Sequence, residues 1–247
     1  MSSSPKNDPH RPSWTLADLR LLHLADSALP IGSLPHSLGI ETLAAQDILT
    51  PRNLAVFFRA YIEEAGIIDA VFCRQGWRLA APEGSAKFSA ERWRELNELL
   101  SALKPAREAR EASASMGDNF LRAVLALGDF PALQQALDCA HAPLRAPFAI
   151  HHSPAFGLVS GVLGIDEDSA VLGFLHQSVM SLVSACQRLM PLGQRAAMRL
   201  IWDLKPAMME TAERSRLSGI DDVCCFLPML DWGSMEHPAL ATRLFIS

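Results

Sequence analysis

Six apolar side chains, Val171, Leu175, Val179, Leu182, Cys186 and Leu189, follow one another at spacings of 4, 4, 3, 4 and 3 residues. That rhythm lines them along one stripe of an α-helix, and a stripe this long must be buried against other helices. Elsewhere the apolar period is also helical, as in Leu54, Phe57, Phe58, Tyr61 and Ile62. No stretch alternates strictly between apolar and polar residues, and β-branched residues are sparse, so strands are not expected. The predicted fold class is all-α, a single-domain bundle of roughly eight to ten helices. A chain of 247 residues, 49% of them apolar, is long enough to bury one sizeable core.

Local signals suggest the boundaries. Ser13 or Thr15 caps a first helix carrying Leu16, Leu19, Leu22 and Leu24. Thr50 and Pro51 have the look of an N-cap followed by a first-turn proline, Gly66 separates two helices, and Ser89 caps another. Lys104-Pro105 breaks a helix, Asp166, Glu167 and Asp168 precede a start at Ser169, and Pro206 opens a last helix running to Arg216. Residues 1–12 are polar and proline-interrupted, which predicts a disordered N-terminal segment ahead of a domain spanning 13–223. The remainder, 224–247, is irregular yet rich in Phe, Leu, Met and Trp. Such a tail has to bury its apolar surface, either on its own core or on a partner.

Composition removes several function classes. The net charge is −5, and the densest basic stretch, "PAREARE", holds as many glutamates as arginines. Nucleic-acid binding, which needs a basic stripe, is not expected. Five cysteines without a CxxC pair read as reduced thiols acting as small apolar residues. The N-terminus has no apolar signal core, and the most apolar run is interrupted by His176, Gln177, Gln187 and Arg188. No membrane association is expected, and the cytoplasm is the predicted location.

The stretch "LADSALPIGSLPHSLGIE", residues 24–41, is the part least like a bundle helix. It lacks the Gly-Lys-Ser/Thr of a phosphate-binding loop, and no strand precedes it. A metal reading would recruit His23, Asp26, His36 and Glu41 with His151, His152 and His237, but no pair has HxxxH or HExxH spacing. No GxSxG elbow exists, and Cys139 near His141 lacks a third orienting group. Catalysis finds no centre, and an interaction protein is what remains. Pro30 and Pro35 restrict the loop while Gly32 and Gly39 permit unusual backbone angles. Two readings of its polar residues stay open. Either His36, Ser37 and Glu41 are presented to a partner on a stiff frame, or Ser37 caps the next helix and Glu41 complements its dipole.

Four motifs, in order, resemble the urease accessory protein UreF family. "ADSALPIGSLPHSLGIE" is similar to its signature loop through Pro30, Gly32, His36, Ser37, Gly39 and Glu41. "EAREASASMG" is similar to its Glu-x-Arg…Gly helix through Glu108, Arg110, Ser113 and Gly117. "SACQRLMPLGQ" resembles its Arg-Leu-x-Pro-Leu-Gly-Gln segment from Arg188 to Gln194, and "TRLFIS" its Arg-x-Phe-x-Ser ending through Arg243, Phe245 and Ser247. The likeness runs from about Leu21 to Ser247, with departures at Leu34-Pro35-His36 and Ile246.

The resemblance implies an all-α, non-enzymatic protein that dimerises and binds a UreD/UreH-like accessory protein. With it, the protein would recruit a UreG-like GTPase that carries nickel to apo-urease. Nickel would be the cargo of the complex, with no cofactor bound tightly here. The matched residues Glu108, Arg110, Arg188, Gln194, Arg243 and Phe245 then become partner-contact candidates beside those of the loop. Arg243 and Phe245, in a partner-binding tail, would become ordered only on binding. The alternative is a metallochaperone that binds nickel directly through His36, Glu41 or His237.

Overall fold

The computed structural model describes residues 14–26, 29, 31, 36–80, 88–143, 146–222, 224 and 228–246. The segment 1–12 expected to be disordered lies outside these residues, as do Pro30 and Gly32. All regular structure among the described residues is helical. In chain order the α-helices are α1 (Leu16–Leu24), α2 (Ile40–Ala45), α3 (Leu54–Tyr61), α4 (Ile67–Leu79), α5 (Ala90–Leu103) and α6 (Arg107–Leu125). They continue with α7 (Pro131–Ala140), α8 (His152–Val162), α9 (Glu167–Leu189), α10 (Gln194–Leu217) and α11 (Pro228–Glu236). Among the described residues the helix beyond the expected eight to ten is nine-residue α11, which lies in the stretch expected to be irregular and whose periodicity is too brief to read.

Several boundaries differ from the sequence expectation for identifiable reasons. Thr50 does not cap α3; its amide and hydroxyl bond the Asn53 side chain in a turn, and the helix starts at Leu54. Gly66 does not separate two helices, because a single π-turn over Ile62–Gly66 carries α3 directly into α4. Pro206 lies inside α10 and opens nothing. Proline removes the hydrogen bond to the carbonyl four residues back. That carbonyl belongs to Trp202, which lies on the exposed face of α10 and not in the core. Ser89 does cap α5, accepting from the Arg92 amide, and Asp166 caps α9 through the Ser169 amide.

The core is built on α4 and α8, with α6, α9 and α10 laid around that pair. Every residue of α8 from His152 to Ser160 is buried. Glycines bring the two backbones together: a Cβ at Gly157 would lie 1.8 Å from the Cys73 carbonyl oxygen, and one at Gly76 would lie 2.1 Å from that of Pro154. The stripe on α9 is buried as its spacing requires, from Val171 through Cys186. By length and composition α9 would cross a bilayer, but here it is the wall against which α2, α4, α8 and α10 pack.

Polar ties fix the helices relative to one another. Arg74 is only 2% exposed and joins three of them. It pairs with Asp168 at 2.8 Å and donates to the Ser215 hydroxyl and the Ala212 carbonyl. With Arg216 also on it, Asp168 is held near a pKa of about 2. Trp93, fully buried, donates its indole N–H to the Ala136 carbonyl and so pins α5 to α7.

His151, at the start of α8, sits between the Ser101 and Ser113 hydroxyls at 2.7 and 3.1 Å. Burial, with Lys104 and Arg110 nearby, pushes its pKa down to about 3, and burial pushes that of His152 down to about 4. In the unfolded chain both rings titrate near pH 6.5, so below that pH the unfolded state takes up protons that the folded state refuses. Stability therefore falls with pH from about 6.5 towards 4, by up to about 1.4 kcal/mol per pH unit for each ring. Urea melts at pH 7 and pH 5 check this. His151→Asn should flatten the dependence, and an unchanged slope would refute the assignment.

Candidate functional site

The site forms where the N-terminal loop, the start of α6 and the C-terminal segment meet. Leu38 and Gly39 enter α2 with positive φ, and Gly39 at +90° is its N-cap. Only glycine fits there, for a Cβ would lie 2.7 Å from the Leu230 carbonyl oxygen and 2.8 Å from the Ser234 nitrogen of α11. Gly233 meets the Gly39 carbonyl at the same crossing. Thus α11, the regular part of the expected tail, is clamped onto α2.

That clamp sets His237, just beyond α11, between two carboxylates. Its Nε2 lies 2.8 Å from Glu41 Oε2 and its Nδ1 lies 2.8 Å from Glu108 Oε2. His237 thus bridges the two carboxylates through both of its ring nitrogens. Glu108 stands in the first turn of α6, where the helix dipole favours an anion. The Glu41 carboxylate accepts again, from the Leu244 amide at 2.5 Å and the Phe245 amide at 3.1 Å. Charge-assisted bonds of this kind are about twice as strong as neutral ones. Beyond them the Phe245 ring is 5% exposed and lies under the Arg188 guanidinium, 4.3 Å from it. Arg243 is half exposed, with Nη1 4.0 Å from Glu108 Oε1.

Of the residues singled out in the sequence, Ser37, Gly39, Glu41, Glu108, Arg188, Arg243 and Phe245 converge here. Ser37 is fully buried, and its hydroxyl accepts from the Glu41 amide at 3.4 Å. His36 is half buried beside a cavity, its pKa lowered by burial against the opposing charge of Glu108. Arg110 stands apart, donating to the Lys104 and Pro105 carbonyls and so holding the α5–α6 connection. Gln194 is exposed at the first turn of α10, and among the described residues no hydrogen bond joins it to the cluster.

Two expectations need correcting. Phe245 does not wait for a partner: it is packed on the chain's own body, because the buried Glu41 carboxylate binds the tail backbone. Likewise Ser37 and Glu41 are not presented outward; both are buried and spent on the α2 entry and the tail. The residue at the centre, His237, drew notice in the sequence only as an optional metal ligand. Nothing local marks its role, since its partners lie 196 and 129 residues away. Among the described residues no group of three or more His, Cys, Asp or Glu side chains is placed to hold a metal ion.

With this geometry in view, comparison with known proteins gives a consistent result. The family model described as UreF matches residues 48–205. A urease accessory protein UreF of Corynebacterium glutamicum (strain R) is 32% identical over 236 residues, covering 94% of this chain and 98% of the relative. One from Synechocystis sp. is 31% identical over 241 residues, covering 94% and 98%. One from Bradyrhizobium diazoefficiens is 31% identical over 230 residues, covering 92% and 90%.

Proposed function

Because the chain belongs to the UreF family, whose relatives are named as urease accessory proteins, we propose that it bridges a UreD/UreH-like protein and a UreG-like GTPase during urease maturation. In this reading it carries out no chemistry of its own. It presents a surface on which the GTPase and its nickel cargo are brought to apo-urease, in the cytoplasm and as a homodimer. One observation supports this most directly. Residues from all four motifs similar to the family's are separated by up to 204 positions, yet they build one fastened cluster with half-exposed Arg243 at its edge. Fixing the tail in the free chain reduces the entropy lost when a partner docks. Arginine and aromatic side chains are also the types that concentrate interface energy.

Co-purification with UreD/UreH-like and UreG-like proteins tests the reading. Arg243→Ala removes an exposed group with little effect on the fold, and is expected to weaken capture of at least one partner by about tenfold, the loss of a modest interface residue. Arg110→Ala should act through the α5–α6 connection and lower stability more than it lowers binding. Full complex formation by a folded Arg243→Ala protein would remove the tail edge from the interface.

A further inference from the structure

A cavity of about 90 Å³ lies between α3, α4, α6, α8 and α9. Its walls are partly apolar, with Leu38, Met116, Phe174 and Leu182, and partly polar, with His152 and Gln177. Those two side chains are 8% and 2% exposed, and among the described residues His152 Nε2 and Gln177 Oε1 have no hydrogen-bond partner. Buried polar atoms of this kind are rare and call for an occupant. Two other buried orphans, Thr42 Oγ1 and Ser160 Oγ, are hydroxyls that can turn towards a carbonyl of their own helix. A histidine held edge-on to Phe120 and Phe156 and tilted against Phe174 has no such freedom.

The charge balance of the cavity narrows the class of occupant. Asp69 accepts from the Ser153 hydroxyl at 2.8 Å and faces Lys104 Nζ at 3.8 Å, so the one carboxylate among the described residues of the wall is already compensated. Burial keeps the His152 ring neutral at ordinary pH. An ion would bring an uncompensated charge into this space, and that is costly. Gln177 Oε1 asks for a donor, whereas the imidazole nitrogen takes a donor or an acceptor according to tautomer. A molecule offering N–H and carbonyl oxygen together satisfies both orphans in either case.

We propose that this cavity is a binding site for a small uncharged solute of the amide class, held between His152 Nε2 and Gln177 Oε1. The site is independent of the bridging reading and stands or falls separately. Its volume admits a few heavy atoms, less than the 150 Å³ or so of an apolar cavity that takes up benzene. Affinity for so small a ligand is accordingly modest.

Titration of the full-length, isotope-labelled protein with acetamide, followed by amide chemical shifts, is the test. The expected result is saturable shifts in the millimolar range, confined to residues around the cavity. Acetate and methylammonium should give none. Gln177→Leu removes one orphan and should weaken binding about tenfold, the worth of a single neutral hydrogen bond. Ser181→Phe fills the space from a half-buried position and should abolish the shifts, with thermal melts confirming that both variants fold. Scattered or unsaturable shifts, equal effects from the charged analogues, or binding that survives Ser181→Phe would overturn the proposal. So would a crystal soaked in acetamide that shows only water between His152 and Gln177.

Discussion

Glu41→Ala is expected to release the C-terminal segment and to lower the stability of the chain by about 3–5 kcal/mol, the loss of a buried carboxylate that holds three hydrogen bonds. The single carboxylate serves His237 and the amides of Leu244 and Phe245. Removing it leaves all three without this partner, and each hydrogen bond to a charged group is worth about 1.5–3 kcal/mol. The sum is an upper bound, because the tail can leave and hydrate its amides. His237 has no such escape while α11 stays clamped on α2. Two measurements check the outcome, urea unfolding and the rate at which trypsin cleaves after Arg243. Glu41→Gln keeps an acceptor for the tail and should fall between alanine and wild type. Unchanged clipping in Glu41→Ala would mean that something other than this carboxylate holds the tail.

Gly157→Ala is expected to be more damaging still. The added methyl would sit 1.8 Å from the Cys73 carbonyl oxygen and 2.8 Å from the Trp77 nitrogen, and both are backbone atoms that cannot turn aside. The two central helices would have to part, exposing or loosening the packing of α4 on α8. Overpacking usually costs about 1–3 kcal/mol, but here the obstacle is main chain, and about 4 kcal/mol or more is expected. Against a total stability of about 5–15 kcal/mol, most of the protein should then be recovered insoluble or loosely folded. Gly193→Ala is the matched control. That glycine has φ of −68° and nothing within 4 Å of a built Cβ, so its loss should be worth less than about 1 kcal/mol. Equal soluble yield and equal urea midpoints for the two variants would refute the account.

These two sites also mark the limit of what sequence pattern conveys. The α9 stripe is readable because burial leaves a period in the sequence, and the cap at Ser89 because a short polar side chain at a helix start has one evident use, whereas α9 starts two residues ahead of the expected Ser169 because Asp166 shows in the sequence only as one of three acids. Gly157 and Gly76 carry no such mark: a glycine in a helical pattern looks the same whether it faces water or another backbone. Pro206 misled for a related reason, since its cost depends on whether the freed carbonyl faces solvent, and only the packed structure decides that. In the site, the four motifs pointed to Glu41, Glu108, Arg188 and Phe245 one by one. Their meeting around His237 is a tertiary fact.

The fastening of Leu244 and Phe245 to Glu41 has a kinetic consequence. These contacts close loops of more than two hundred residues, and loops of that size are entropically slow to close compared with helix pairs adjacent in the chain. The bundle can therefore collapse around α4 and α8 before its tail finds its seat. In refolding followed by pulsed hydrogen exchange, the amides of Leu244 and Phe245 should be among the last to gain protection. The C-terminal edge would then mature after the body that carries it.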